Sequence, residues 1–279
     1  MPSPFRIAVI DLYNRIPNEG MRAIRELLAA HEHLAGEAGF AVEIFETRFD
    51  ASIPDTSFDA YISTGGPGSP FDGEGKAWEE RWFNWVEQIR RHNASGADTP
   101  RSVLFICHSF QMMVRHFQVA SVIPRGSRSF GIFPVHPTEA GRRDPLFEGL
   151  EEPFYAADFR DWQVVQPNHD RLDELGGSIL ALEKRRDHVP LERAVMAIRI
   201  SPHLVGVQFH PEADPEGMIR HFTKPDKADK VVMEHGREKY DRMLARMEDP
   251  AFLQRTYEAV IPRFLRDAVH KSRPELIDA

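Results

Sequence analysis

Cys107 is the only cysteine in the 279-residue chain. It lies in "FICHSFQMM" (105–113), where an apolar run gives way to small and polar residues. A lone buried cysteine is commonly a small core filler, so the thiol by itself argues no function. A thiol at a sharp strand-to-helix turn is different. The helix N-terminus favours a thiolate, and hydrolases with a nucleophile elbow use that geometry. Two further stretches supply what such a nucleophile needs. In "VGVQFHPE" (205–212), His210 and Glu212 stand two residues apart. In an extended chain such residues face the same way, so the carboxylate can orient the imidazole that serves the cysteine. In "ISTGGPGSP" (62–70) an apolar run ends in a glycine turn. Exposed backbone N–H groups there can hold the oxyanion of an acyl-transfer intermediate. A phosphate loop is the rival reading, but no Lys-Ser or Lys-Thr follows the glycines.

These stretches need elements to hold them. "FRIAVI" (5–10), "AVEIFET" (41–47), "FDAYIST" (58–64) and "RSVLFI" (101–106) read as strands. Stretches 18–34, 77–92 and 109–117 read as helices by the spacing of their apolar residues. Strand and helix therefore alternate over the first 120 residues, which predicts a parallel sheet covered on both faces. Short strands dominate from about 119 to 209. After 212 the chain becomes helical and charged, with a break expected at Gly236 and a kink at Pro262. The expected organisation is a domain over 1–212 and a helical extension over 213–279. The extension packs on that domain or builds a homodimer.

Composition limits the partners. The chain is 42% hydrophobic and 28% charged, with a net charge of −8. That argues against non-specific binding to nucleic acid or an anionic membrane. One cysteine permits no internal disulfide, which suits a reducing cytoplasm. No signal peptide and no apolar stretch long enough to cross a membrane is expected. "HEH" (31–33) puts its histidines on different sides of a helix, so no metal site is expected.

The order of glycine turn, cysteine elbow and His-Pro-Glu resembles the class I, triad-type glutamine amidotransferases, and is similar to the glutaminase domain of GMP synthase. The resemblance covers roughly residues 5–212. It implies an α/β fold with a flavodoxin-like, mostly parallel sheet flanked by helices. It also implies attack on a side-chain amide, normally that of glutamine, through a cysteine thioester. Cys107 would be the nucleophile, His210 the general base and acid, and Glu212 the orienting carboxylate. The backbone N–H groups of Gly66 and His108 would form the oxyanion hole. Gly65, Gln111 and Asp161 would contact the substrate. No cofactor is implied. Relatives often pass ammonia to a synthetase; no such domain is legible here, so any ammonia acceptor would be a separate protein.

The sequence also departs from the family pattern. Phe105 and Ser109 replace the glycines of the Gly-x-Cys-x-Gly-x-Gln elbow. Ser129 replaces the glutamate of Arg-Glu-x-Gly, and Phe159 and Arg160 replace the His-Gly pair before Asp161. The triad is intact while the glutamine-recognition shell is altered. Two alternatives therefore stay open: an acyltransferase resembling the homoserine acyltransferases, and a non-catalytic binding subunit.

Overall fold

The computed structural model describes residues 3–96, 99–186 and 192–274. Residues 97–98 of the expected loop and 275–279 of the expected extension lie outside them. The first half alternates as the sequence predicts. Strands β1 (Phe5–Ile10), β2 (Phe40–Phe45), β3 (Ala60–Ser63) and β4 (Ser102–Ile106) alternate with helices α1 (Glu19–Ala30), α2 (Thr47–Asp50), α3 (Ala77–Ala94) and α4 (His108–Phe117). Helix α1 starts where the Asn18 side chain accepts from the backbone N–H of Met21, a standard N-cap. It is shorter than expected. It ends at His31, whose ring bonds the Leu27 carbonyl at 2.9 Å, and tighter helical turns follow to Ala38.

The second half contributes β5 (Ser121–Pro137), α5 (Glu139–Arg143), β6 (Phe154–Val165), α6 (His169–Leu175), β7 (Ser178–Glu183), β8 (Val195–Ser201) and β9 (Leu204–Val207). All nine strands form one sheet in the order β2-β1-β3-β4-β9-β8-β7-β5-β6. The expectation of a mostly parallel sheet needs correction. The pairings β2–β1, β1–β3, β3–β4 and β4–β9 are parallel, but β9–β8, β8–β7, β7–β5 and β5–β6 are antiparallel. The sheet is mixed. Strands joined by a short link, such as β8 and β9, can pair only antiparallel.

One face of the parallel half is covered by α1 and one by α3 and α4. Phe5, Ile7 and Val9 pack with Ile24, Leu27 and Leu28. Ala8 and Ile10, pointing the other way, pack in a layer with Trp82, Trp85 and Phe110. Gly206 lets α4 approach β9, since a Cβ there would lie 2.6 Å from the Phe110 ring.

After residue 212 the chain forms α7 (Pro215–Phe222), α8 (Pro225–His235), α9 (Arg237–Glu248) and α10 (Leu253–Ser272). Gly236, at φ 88°, separates α8 from α9. Helix α10 runs on through Pro262. Its Val260, Ile261, Phe264 and Leu265 join the same apolar layer as β1 and α1. Helices α7–α9 instead form a third cluster with Ile132 of β5 and Ala157 of β6.

Candidate active site

Cys107 occupies the one-residue junction between β4 and α4. Its φ of 49° and ψ of −97° are costly for a residue with a Cβ, about 1–3 kcal/mol. Three hydrogen bonds hold the turn. Its N–H donates to the Val207 carbonyl at 2.8 Å. The Ser109 hydroxyl accepts from the Ile106 N–H at 2.9 Å and donates to the Ser63 carbonyl at 2.6 Å. The serine that replaces the family glycine therefore ties β3 to β4 at the turn. Phe105 is fully buried against Trp82 and Trp85, with ring centroids 5.6 and 6.4 Å apart. It belongs to the layer opposite Cys107, so it fills core rather than reshaping a pocket.

His210 follows β9 and is pinned by its own N–H, which donates to the Ala157 carbonyl of β6 at 2.9 Å. Its Nδ1 lies 2.8 Å from Glu212 Oε1. The Tyr13 hydroxyl donates to the same Oε1 at 3.4 Å. Glu212 is 1% exposed and its Oε2 has no hydrogen-bond partner among the described residues. Burial pulls the His210 pKa down. The charges of Cys107 and Glu212 and their hydrogen bonds to the ring together outweigh it, so the pKa stands well above the ordinary imidazole value. Burial, together with Glu212 and Cys107, likewise raises Tyr13.

Gly65 sits between these groups. A Cβ on it would lie 3.0 Å from His210 Cε1, 3.2 Å from the Tyr13 hydroxyl and 3.6 Å from Cys107 Cβ. Gly66 follows, and neither its N–H nor that of His108 has a partner among the described residues. The His108 side chain adds no charge at neutral pH. Burial, with Arg48 and Arg115 nearby, lowers its pKa to about 3.

Gln111 and Asp161 are the remaining expected substrate contacts. Gln111 is 3% exposed, and its Nε2 donates to Gln208 Oε1 at 2.9 Å and the Trp162 carbonyl at 3.4 Å. Gln208 in turn points its Nε2 at Cys107 Sγ, 3.7 Å away. The Asp161 side chain is 63% exposed, 3.4 Å from Arg128. No hydrogen bond or ion pair joins it to Cys107, His210 or Glu212 among the described residues. The two altered shell residues Ser129 and Arg160 both bond Asp158, at 2.7 and 2.8 Å, and are buried. Phe159 faces His210 with ring centroids 6.2 Å apart.

Tyr13 and Gln208 are the residues that sequence reading missed. Gln208 lies inside the quoted "VGVQFHPE" but only the fold aims it at the thiol. Tyr13 lies in the loop after β1, 199 residues from Glu212, with no local pattern to mark it. A cavity of about 260 Å³ adjoins His210 and Glu212, lined also by Tyr13, Phe159, Met218 and Phe222. Among the described residues no group of three His, Cys, Asp or Glu is placed to hold a metal ion. No helix there is long and apolar enough to cross a membrane.

The sequence pattern of the family described as "Glutamine amidotransferase class-I" matches residues 26–224. The chain belongs to the class I glutamine amidotransferase family. The match spans Gly65, Cys107, His210 and Glu212, while Tyr13 lies before it. The fold is that of several solved relatives. The protein SMU.1228c is similar at 18% identity and TM-score 0.65, covering 95% of this chain and 99% of that one. A glutamine amidotransferase from Thermotoga maritima is similar at 15% identity and TM-score 0.64, covering 98% of each chain. A Thermoplasma acidophilum protein described as a candidate component of GMP synthase is similar at 18% identity and TM-score 0.54. It covers 84% of this chain and 100% of that one. No curated protein matches the sequence.

Proposed function

We propose that this class I glutamine amidotransferase-like chain hydrolyses a side-chain amide through a thioester on Cys107. The observation that carries the reading is the His210–Glu212 pair at 2.8 Å beside a cysteine held in a strained elbow. The Cys107 thiolate adds to the amide carbonyl carbon, and the oxyanion meets the N–H groups of Gly66 and His108. The C–N bond then breaks as the His210 imidazolium gives its proton to the departing nitrogen. An acyl thioester and a free amine, ammonia when the substrate is glutamine, result. Water then attacks the thioester, His210 takes its proton, and the thiolate leaves with the carboxylic acid. Glu212 keeps Nδ1 protonated, which leaves Nε2 to exchange protons. Gln208 holds the sulfur side of the site, and Gln111 braces Gln208.

The order of the five parallel strands supports a flavodoxin-like parallel half, in which ligands bind beyond the carboxyl ends of the strands. Cys107 and Gly65 both lie there. The burial of Phe105 in the core removes one of the departures from the family pattern that left a non-catalytic role open. Likeness to a candidate component of GMP synthase supports a separate synthetase as the acceptor of any ammonia. The test is glutamate release from glutamine and from γ-glutamyl amides by the purified chain. Release that disappears in Cys107→Ala supports the reading; equal release by both proteins contradicts it.

A further inference from the structure

The cavity beside His210 is far larger than the ammonia that glutamine releases. We infer that it receives the apolar substituent of a leaving amine, so that the preferred substrate is a γ-glutamyl amide of an apolar primary amine. This rests on the thioester reading above.

Position is the first argument. The proton that releases the amine comes from His210, so a substituent on the amide nitrogen lies on the imidazole side of the scissile bond. The cavity wall includes His210 and Glu212 but neither Cys107 nor Gly66. It is therefore on the leaving-group side, not the acyl side.

Size is the second argument. A dry cavity of about 150 Å³ takes a benzene ring. The 260 Å³ here holds a phenyl ring and a short methylene link.

Chemistry is the third argument. Tyr13, Phe159, Met218 and Phe222 present apolar surface. Most polar groups of the wall are already bonded within the protein. Asn18 caps α1 and also donates to the Ile16 carbonyl. Arg22 holds both Glu19 and Asp214. Glu212 takes His210 and Tyr13. The His221 imidazole lacks a hydrogen bond among the described residues, and burial, then Lys224, lowers its pKa; Glu212 Oε2 is also unpartnered, but it is buried and not open to a ligand. Each carboxylate of the wall already faces a cation or a donor of the protein, so the amine that fits is apolar. Met218 and Phe222 come from α7, which gives the extension a part in specificity.

The test uses full-length protein and two measurements. First, calorimetric binding is measured on Cys107→Ser, which removes the thiol, for γ-glutamyl-2-phenylethylamide and γ-glutamylmethylamide. The expected gain is at least about tenfold in Kd for the phenylethyl compound, modest for the apolar area added. Met218→Trp in the same background fills the cavity and should abolish that gain. Phe222→Ala, which removes wall instead, should reduce it. Equal affinity for the two amides, or a gain that survives both substitutions, overturns the inference. Second, glutamate release from both amides and from glutamine is measured with Cys107 intact. Absence of release from all three overturns the hydrolase reading, whatever the binding shows. Release without preference for the phenylethyl compound in kcat/KM overturns the subsite alone.

Discussion

Glu212 Oε1 is shared between His210 Nδ1 at 2.8 Å and the Tyr13 hydroxyl at 3.4 Å. Two distant stretches of the chain thus meet at one buried oxygen. The carboxylate fixes the tautomer of His210 and stabilises its charged form.

Glu212→Gln removes that charge and keeps the shape. The expected kcat/KM falls by up to about 10⁴-fold, the loss that the corresponding replacement produces in a Ser-His-Asp triad. The pH profile should move as well. The charges and hydrogen bonds of Cys107 and Glu212 together outweigh burial in holding the His210 proton, so the alkaline limb of kcat/KM lies above the ordinary imidazole range. Without the Glu212 charge, that limb should move to lower pH. A limb that stays in place contradicts the coupling.

Tyr13→Phe removes one hydrogen bond, worth about 1 kcal/mol, and leaves the His210 contact intact. The expected loss in kcat is about fivefold. KM should change less, because the hydroxyl acts through Glu212. A steady-state comparison decides it: a change in KM alone means that Tyr13 serves binding instead.

Gly65→Ala is the steric test. The added methyl would stand 3.0 Å from His210 Cε1 and 3.2 Å from the Tyr13 hydroxyl. Both side chains must shift, so activity should fall at least about tenfold, since small misplacements are costly in catalysis. The urea midpoint should change little. Unchanged turnover would show that the imidazole need not occupy its observed position.

His108 gives a stability prediction with a definite sign. Burial, then Arg48 and Arg115, depress its folded pKa to about 3, whereas an unfolded histidine titrates near 6.5. Between these values the unfolded chain binds a proton that the folded chain refuses. Stability is therefore full above about pH 6.5 and is lost as pH falls toward 3. The loss contributed by this residue between pH 7 and pH 5 is about 2 kcal/mol. Urea unfolding of His108→Asn should show a shallower decline by that amount. An identical decline would contradict the assignment.

Local chemistry was legible in the sequence, and long-range placement was not. The elbow, the glycine turn and the His-Pro-Glu run are each contiguous, and strand and helix periodicity located them at strand ends. The pairing of His210 with Glu212 was read from a spacing of two in an extended chain; the chain instead turns at 211–212, and the bond forms across that turn. Tyr13 and Gln208 carry no comparable pattern. Their partners are 199 and 101 residues away. Ser109 read as a tolerated replacement for glycine, but its hydroxyl ties β3 to β4, a role visible only once the strands are adjacent. The antiparallel half was seen as short strands without an order, because hairpin length alone does not say which strand joins the parallel half. The apolar stripe of α10 was also legible, but not its destination beside β1 and α1.

The most direct test is glutamate release from glutamine and γ-glutamyl amides by the full chain, with Cys107→Ala measured beside it. The account predicts release from at least one of these substrates by the native protein and none by Cys107→Ala. Release that persists without the thiol, or no release from any substrate by the native protein, would contradict it.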